Sequence, residues 1–318
     1  MLYSFSTQRV RLAGILVCGV CGLAASLPVS CSTTQETAVE QGEAFATPQA
    51  LVDAAVAALR SDNQAALAKI LGADAYEDFS SGDDVQDRAN LQTFLAKYDQ
   101  SHRLVDNPNG SKTLEIGPDN WPMAFPIIHD GEGWRFDTAA GIEELNARRI
   151  GRNELDCIET CRAVSDAQAD YLMMDPDGQM PPAYAQTFFS NPGTKSGLFW
   201  PTNAGETPSP MGDFAARASA EGYTRGEGPQ PYHGYFFRLL REQGPFAPGG
   251  SESYMENGRM TRGFAVIAYP AEYDGSGVMS FMIAKQGIVY QRDLGPDSAS
   301  IAKSMTVFNP DPSWTMVK

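Results

Sequence analysis

The sequence predicts an α+β protein built in two halves, each placing helices before an antiparallel sheet. Three observations carry this. Apolar residues recur at helical spacing after Phe45 and again after Gly141. Short runs of β-branched and aromatic residues, separated by turn residues, follow each helical stretch. With the leader set aside, about 270 residues remain, more than one typical core.

The chain opens on a leader. Arg9 and Arg11 precede an uncharged apolar run from Leu12 to Leu27, followed by small residues and Cys31. That order predicts a signal peptide over 1–30 and a polar tether over 31–44. The run is shorter than the roughly 18–20 residues of a spanning helix, and Pro28 ends it. "LPVSC" resembles the lipobox of bacterial lipoproteins, with Leu27 one place too far back and Pro28 in the favoured leucine's position. The resemblance implies lipidation of Cys31 and a membrane anchor. Ser32 then implies an outer-membrane destination facing the periplasm. Plain secretion, or a soluble periplasmic protein, is the alternative. Without Arg9 and Arg11 the 24 basic residues fall to 22 against 39 acidic ones, a net charge of −17. Such a surface repels nucleic acid and anionic headgroups, so no nucleic-acid partner is expected.

Residues 45–140 form the first predicted domain. In "TPQALVDAAVAALR", Thr47 is placed to cap a helix with Pro48 at its first position. Leu51, Ala54, Ala55, Ala58 and Leu59 follow on one face. Ser61-Asp62-Asn63 breaks that helix and caps the next. "DDVQDRANLQTFLAKYDQSHRL" predicts a third, with Val85, Leu91, Leu95 and Tyr98 inward. "KTLEIG", "MAFPIIHD" and "WRFD" read as strands, the last two joined through "HDGEG". Pro122 and Pro126 assign the middle strand to an edge or bulge. This order is similar to the cone-shaped cystatin-like or steroid-isomerase-like domains.

The second predicted domain, 141–318, opens with a helical stretch from Ile142 to Met174, capped by Thr138 and either continuous or broken at Gly151. A Pro/Gly-rich region follows, from Asp175 to Pro231. "YFFRLLRE", "GFAVIAYP", "VMSFMIA" and "IVYQRDL" then read as a four-stranded antiparallel meander, and "SASIAKSMTVF" as a short helix. Leu155, Ile158, Cys161, Val164 and Tyr171 share a broad apolar side, which predicts that the long helix lies across the meander. Both faces of "GFAVIAY" are apolar, so the second face should be covered by the Pro/Gly loop or by the first domain.

The segments "DNWP", "GWRFDTAAG", "RRIGRNEL", "GLFWPT", "PYHGYFFRLL", "APGG", "GFAVIAYPAEYDGSGVMSF", "VYQRDLGPD" and "DPSW" resemble the bacterial lipoprotein family called Domain of Unknown Function 2950, over nearly the whole chain after the leader. The resemblance implies no activity and transfers no catalytic residue. The second half alone is similar to the head domain of type IV pilins and pseudopilins, without the membrane-spanning part of the pilin helix.

Several residues stand out for chemistry. Cys157 and Cys161 lie four apart on the long helix. Helical Cβ atoms at that spacing are about 5–6 Å apart, too far for an unstrained disulfide. They read as buried thiols, with a distorted disulfide and metal or redox chemistry left open. Only His102, His129 and His233 are available as imidazole ligands, so no metal site and no cofactor is predicted. "DPDGQM" from Asp175 begins like a calcium loop, but Met180, Pro181 and Pro182 stand where it should continue, and a turn fits better. His102 and His129 read as helix-end and turn residues, and Arg259 as half of an ion pair. His233, in "PYHGYFF", is the catalytic candidate if an acid lies within reach, with Glu272 of "AEYDGSG" as the proposed partner. The alternative is a histidine that bonds backbone in a tight loop. Phe199 and Trp200 are candidate ligand or partner contacts, or pins for the long loop. Together these features favour a non-catalytic binding or assembly module of the envelope, and the alternative is a periplasmic hydrolase using His233 and the Glu272 loop.

Overall fold

The computed structural model describes residues 42–73, 81–203, 205–224 and 228–318. Cys31 and the leader lie outside them. The architecture is α+β, with two hydrophobic cores joined by one long helix.

The first core forms around three helices and a sheet. Helix α1 (Pro48–Arg60) starts where Thr47 accepts a hydrogen bond from the Ala50 amide at 3.1 Å, with proline at the first position. It buries Leu51, Val52, Val56 and Ala58. Asn63 caps α2 (Gln64–Leu71) by accepting from the Ala66 amide. Helix α3 (Asp84–Gln100) buries only Tyr98; Phe94 and Leu95 pack against the core from its margin. The predicted third helix ends sooner than "SHRL". Ser101 terminates α3, and His102–Asp106 forms β1, pairing along its length with β2 (Lys112–Ile116). The sheet continues with β3 (Trp121–Pro122) on β2, then β4 (Ile127–His129) and β5 (Trp134–Phe136), in the order β1-β2-β4-β5. Strand β4 is therefore interior rather than at an edge. Pro126 is tolerated because it precedes the strand, where its carbonyl accepts from the Asp137 amide.

Helix α4 (Thr138–Met174) is a single helix of 37 residues, about 55 Å long at the usual rise. Asp137, not Thr138, caps it, accepting from the Ala140 amide at 3.2 Å. Gly151 is exposed, and no break occurs there. Ile142 and Leu145 still pack on the first core, whereas Cys157, Ile158, Cys161, Val164 and Tyr171 belong to the second. The chain at 140/141 thus passes through the first turn of a helix that serves both. Gly141 is required there because any side chain would run into the Phe125 ring.

The Pro/Gly-rich region is tied along α4 and contains helix α5 (Gly212–Glu221), which the sequence did not suggest. Buried Gln168 bonds both the carbonyl and the amide of Ala185, each at 2.9 Å, and the Tyr171 hydroxyl donates to the Lys195 carbonyl. The meander then forms as expected: β6 (Tyr235–Leu240), β11 (Ala265–Pro270), β12 (Met279–Ala284) and β13 (Tyr290–Asp293), with β15 (Thr315–Met316) added at the β13 edge. Between β6 and β11 lie β7 (Glu242–Gln243), β8 (Glu252–Ser253), β9 (Met255–Glu256) and β10 (Arg259–Met260). Strand β14 (Val307–Phe308) pairs with β7, which pairs with β8.

Every residue of β11 is buried. One face, with Tyr235, Ala268 and Phe281, meets α4 beside Cys157 and Cys161. On the other face Arg238, opposite Ile267, reaches the carbonyls of Ala302 and Met305 at helix α6 (Ser298–Ser304). That second face is covered by the C-terminal helix, not by the Pro/Gly loop or the first half. The apolar stripe of α4 is also narrower than predicted, since Leu155 is 66% exposed.

Candidate functional site

The segment "YHGY" turns the chain into β6. Tyr232 and Tyr235 exchange backbone hydrogen bonds, and His233 and Gly234 both have positive φ, +47° and +74°. This is the primed turn that suits two paired segments, and glycine fits its second position. Glycine is needed for a second reason. An added Cβ at 234 would stand 2.5 Å from the Asn153 amide nitrogen.

The turn directs the His233 ring between two carboxylates. Nδ1 lies 3.0 Å from Asp156 Oδ2 on α4, and Nε2 lies 2.9 Å from Glu221 Oε2, the last residue of α5. The ring stacks on Tyr232 with centroids 4.2 Å apart. Burial alone pulls the His233 imidazole down. The hydrogen bonds and charges of Asp156 and Glu221 outweigh it, so the net shift is upward from its ordinary value. With both nitrogens facing anions, the site holds the protonated ring more strongly than the neutral one.

Behind the histidine, buried Asp83 joins the two halves. It caps α3 by accepting from the Gln86 amide at 3.1 Å, while its other oxygen accepts from the Tyr223 hydroxyl at 2.8 Å and the Gly234 amide at 3.0 Å. The Tyr223 oxygen in turn accepts from the His233 amide. Burial, then the Asp83 carboxylate, push the Tyr223 phenol up; burial and Glu221 do the same to Tyr232. Both stay neutral.

Glu272 is not the partner expected for His233. Its side chain lies against Gly82 and Gly275, and it faces buried Arg149 together with Asp87. The Glu272 loop docks on α4 by other bonds: the Asn153 amide donates to the Ser276 carbonyl, and Glu154 accepts from the Val278 and Met279 amides. The acids that do reach His233 come from positions 77 residues before it and 12 residues before it. Neither Asp156 nor Glu221 is marked by a motif in the sequence.

The other candidates have structural surroundings. Cys157 and Cys161 are free thiols, 1% and 0% exposed. Burial, then the hydrogen bond with Cys161, push the Cys157 thiol well up, which leaves it unreactive. Trp200 is buried beside Tyr171 with Lys195 over its ring, and half-buried Phe199 meets Phe189 edge-on. Asp177 in "DPDGQM" receives the Arg259 guanidinium on both oxygens at 3.0 Å, so that turn holds an ion pair. His102 stacks on Tyr98, and His129 ends β4. Among the described residues no group of three or more His, Cys, Asp or Glu side chains could hold a metal, and no helix is long and apolar enough to cross a membrane. Two shallow cavities of about 240 and about 340 Å³ open near Tyr184 and near Met173; His233 lines neither.

Fold and site define a two-core α+β protein whose one prominent histidine is clamped between carboxylates. The chain belongs to the family described as "Protein of unknown function (DUF2950)", which matches residues 42–317. No curated protein and no solved structure matches it.

Proposed function

We propose that this chain is an envelope lipoprotein that works by binding or assembly rather than catalysis. Cys31 carries the lipid, and the protein sits on the outer membrane facing the periplasm. The observation that carries the non-catalytic reading is that both His233 nitrogens already face carboxylates. A general base needs a lone pair directed at a substrate proton, and here each ring nitrogen is directed at a carboxylate of the fold instead. The anchoring reading is supported by the basic, apolar and small-residue order of the leader ahead of Cys31. Helix α4 across four antiparallel strands supports a pilin-head-like role for the second half, and the helices ahead of the first sheet support the comparison with cystatin-like cones.

Two measurements test this. Cys31→Ala should abolish palmitate labelling and free the protein from membranes; unchanged labelling and membrane association would overturn the anchor. Purified protein should turn over no ester, phosphoester, glycoside or peptide chromogen. A turnover lost in His233→Gln but kept in a Glu159→Gln control would establish the hydrolase instead.

A further inference from the structure

Helix α5 buries none of its ten residues. It is held to the body at both ends: at its start buried Met211 donates its amide to the Leu198 carbonyl, and side chains from Phe214 to Tyr223 reach the body beyond. Phe214 and Tyr223 each pack a ring on Tyr232, with centroids 4.9 Å apart, and the Tyr223 hydroxyl reaches Asp83. At its C-terminal end Glu221 ties it to His233, and through His233 to Asp156 of α4. The C-terminal turn of the helix buries no residue and so opens at low cost, and the charged contact there controls a share of that turn's attachment.

We propose that His233 is a proton-operated latch that fastens α5 to α4. The charged and titratable groups around the ring come from each neighbouring element: Asp156 from α4, Glu221 and Arg217 from α5, Tyr223 from the turn after it, Tyr232 from the preceding residue, and Asp83 from the start of α3. Three carboxylates face one fixed cation, Arg217, when the imidazole is neutral, and protonation of the ring supplies a second positive charge. A protonated ring donates to Asp156 and Glu221 at once. A neutral ring has one N–H, so one carboxylate then faces a lone pair. Glu221 is the weaker claimant, because an anion at a helix C-terminus opposes the helix dipole. Loss of the proton therefore frees the α5 end while Asp156 keeps the ring. The sign follows directly. A raised folded value means the latch is closed at low pH and opens as pH rises through it.

Amide hydrogen exchange on the purified protein tests this, corrected for the chemical dependence on pH, between about pH 5 and about pH 9, with His233 followed by NMR. Protection of Ala218 to Gly222 should fall about tenfold across the His233 titration, while Cys157 to Gln168 in α4 should hold constant. His233→Gln should show low α5 protection at every pH and no step. Glu221→Gln, a change at the surface, should shrink the step and serves where the histidine variant does not fold. Flat α5 protection in the wild type, or a full-sized step in either variant, would overturn the latch.

Discussion

Asp83→Ala removes the one side chain that both starts α3 and holds the His233 turn, and its cost can be worked from the bonds it makes. The lost helix cap costs about 1 kcal/mol. The Gly234 amide, buried beneath the carboxylate, loses its acceptor, as does the Tyr223 hydroxyl. Each unsatisfied buried donor costs about 1–3 kcal/mol, less where water enters the space left behind. The total is about 3–5 kcal/mol, a large share of the stability of an ordinary domain. Tyr223→Phe removes the donor to Asp83 and the acceptor of the His233 amide, so it should cost about 1–3 kcal/mol. Because the two changes share a bond, the double variant should cost less than the sum of the singles. Urea unfolding followed by circular dichroism on wild type, both singles and the double gives all four corners. A cost below about 1 kcal/mol for Asp83→Ala, or strict additivity, would refute the account of Asp83 as a shared anchor.

Further outcomes follow from the packing. Ile158→Ala should cost about 2–5 kcal/mol in the same unfolding assay, whereas Glu159→Ala, exposed one residue on, should stay below about 0.5 kcal/mol. Gly234→Ala should cost more than about 2 kcal/mol, because it combines a left-handed backbone with a collision against Asn153, and proteolysis should report the loosened turn. Cys157 and Cys161 should resist alkylation in the native protein and take two labels after denaturation, by intact mass; a two-dalton deficit without labels would show a disulfide instead.

Where local chemistry decided the structure, it could be read in advance. "TPQ" announced the start of α1, and the four apolar runs announced the meander with its order. What escaped reading was settled by partners distant in sequence. Leu155 looked like core from helical spacing, yet at that height α4 turns Asn153 and Glu154 toward the Glu272 loop, and Leu155 faces solvent. Gln168 is fully buried because it satisfies both backbone groups of Ala185, something a hydrophobicity pattern scores as surface. Helix α5 is short and has Phe214 as its one large apolar residue, too little to recognise inside a Pro/Gly-rich stretch. His233 lies beside acids, but they are Asp156 and Glu221 rather than the expected Glu272. Asp156 lies on an otherwise ordinary helix turn, and only the docking of α4 beside β6 brings it within reach.

Helix α4 also decides how the molecule answers a pull. The first core is fastened near its leading end, where Arg135 holds the Gly42 carbonyl, and the second is fastened along its trailing half. An α-helix barely stretches while its backbone bonds hold, so tension entering at Gly42 is handed down a stiff rod to the meander instead of being absorbed at a hinge between the halves. Under load the molecule should yield where contacts shear rather than where the chain is thin. The first parts to give would be the strands of the first sheet joined by few bonds, such as β2 to β4 with its single paired position, while the rod and the meander stay together.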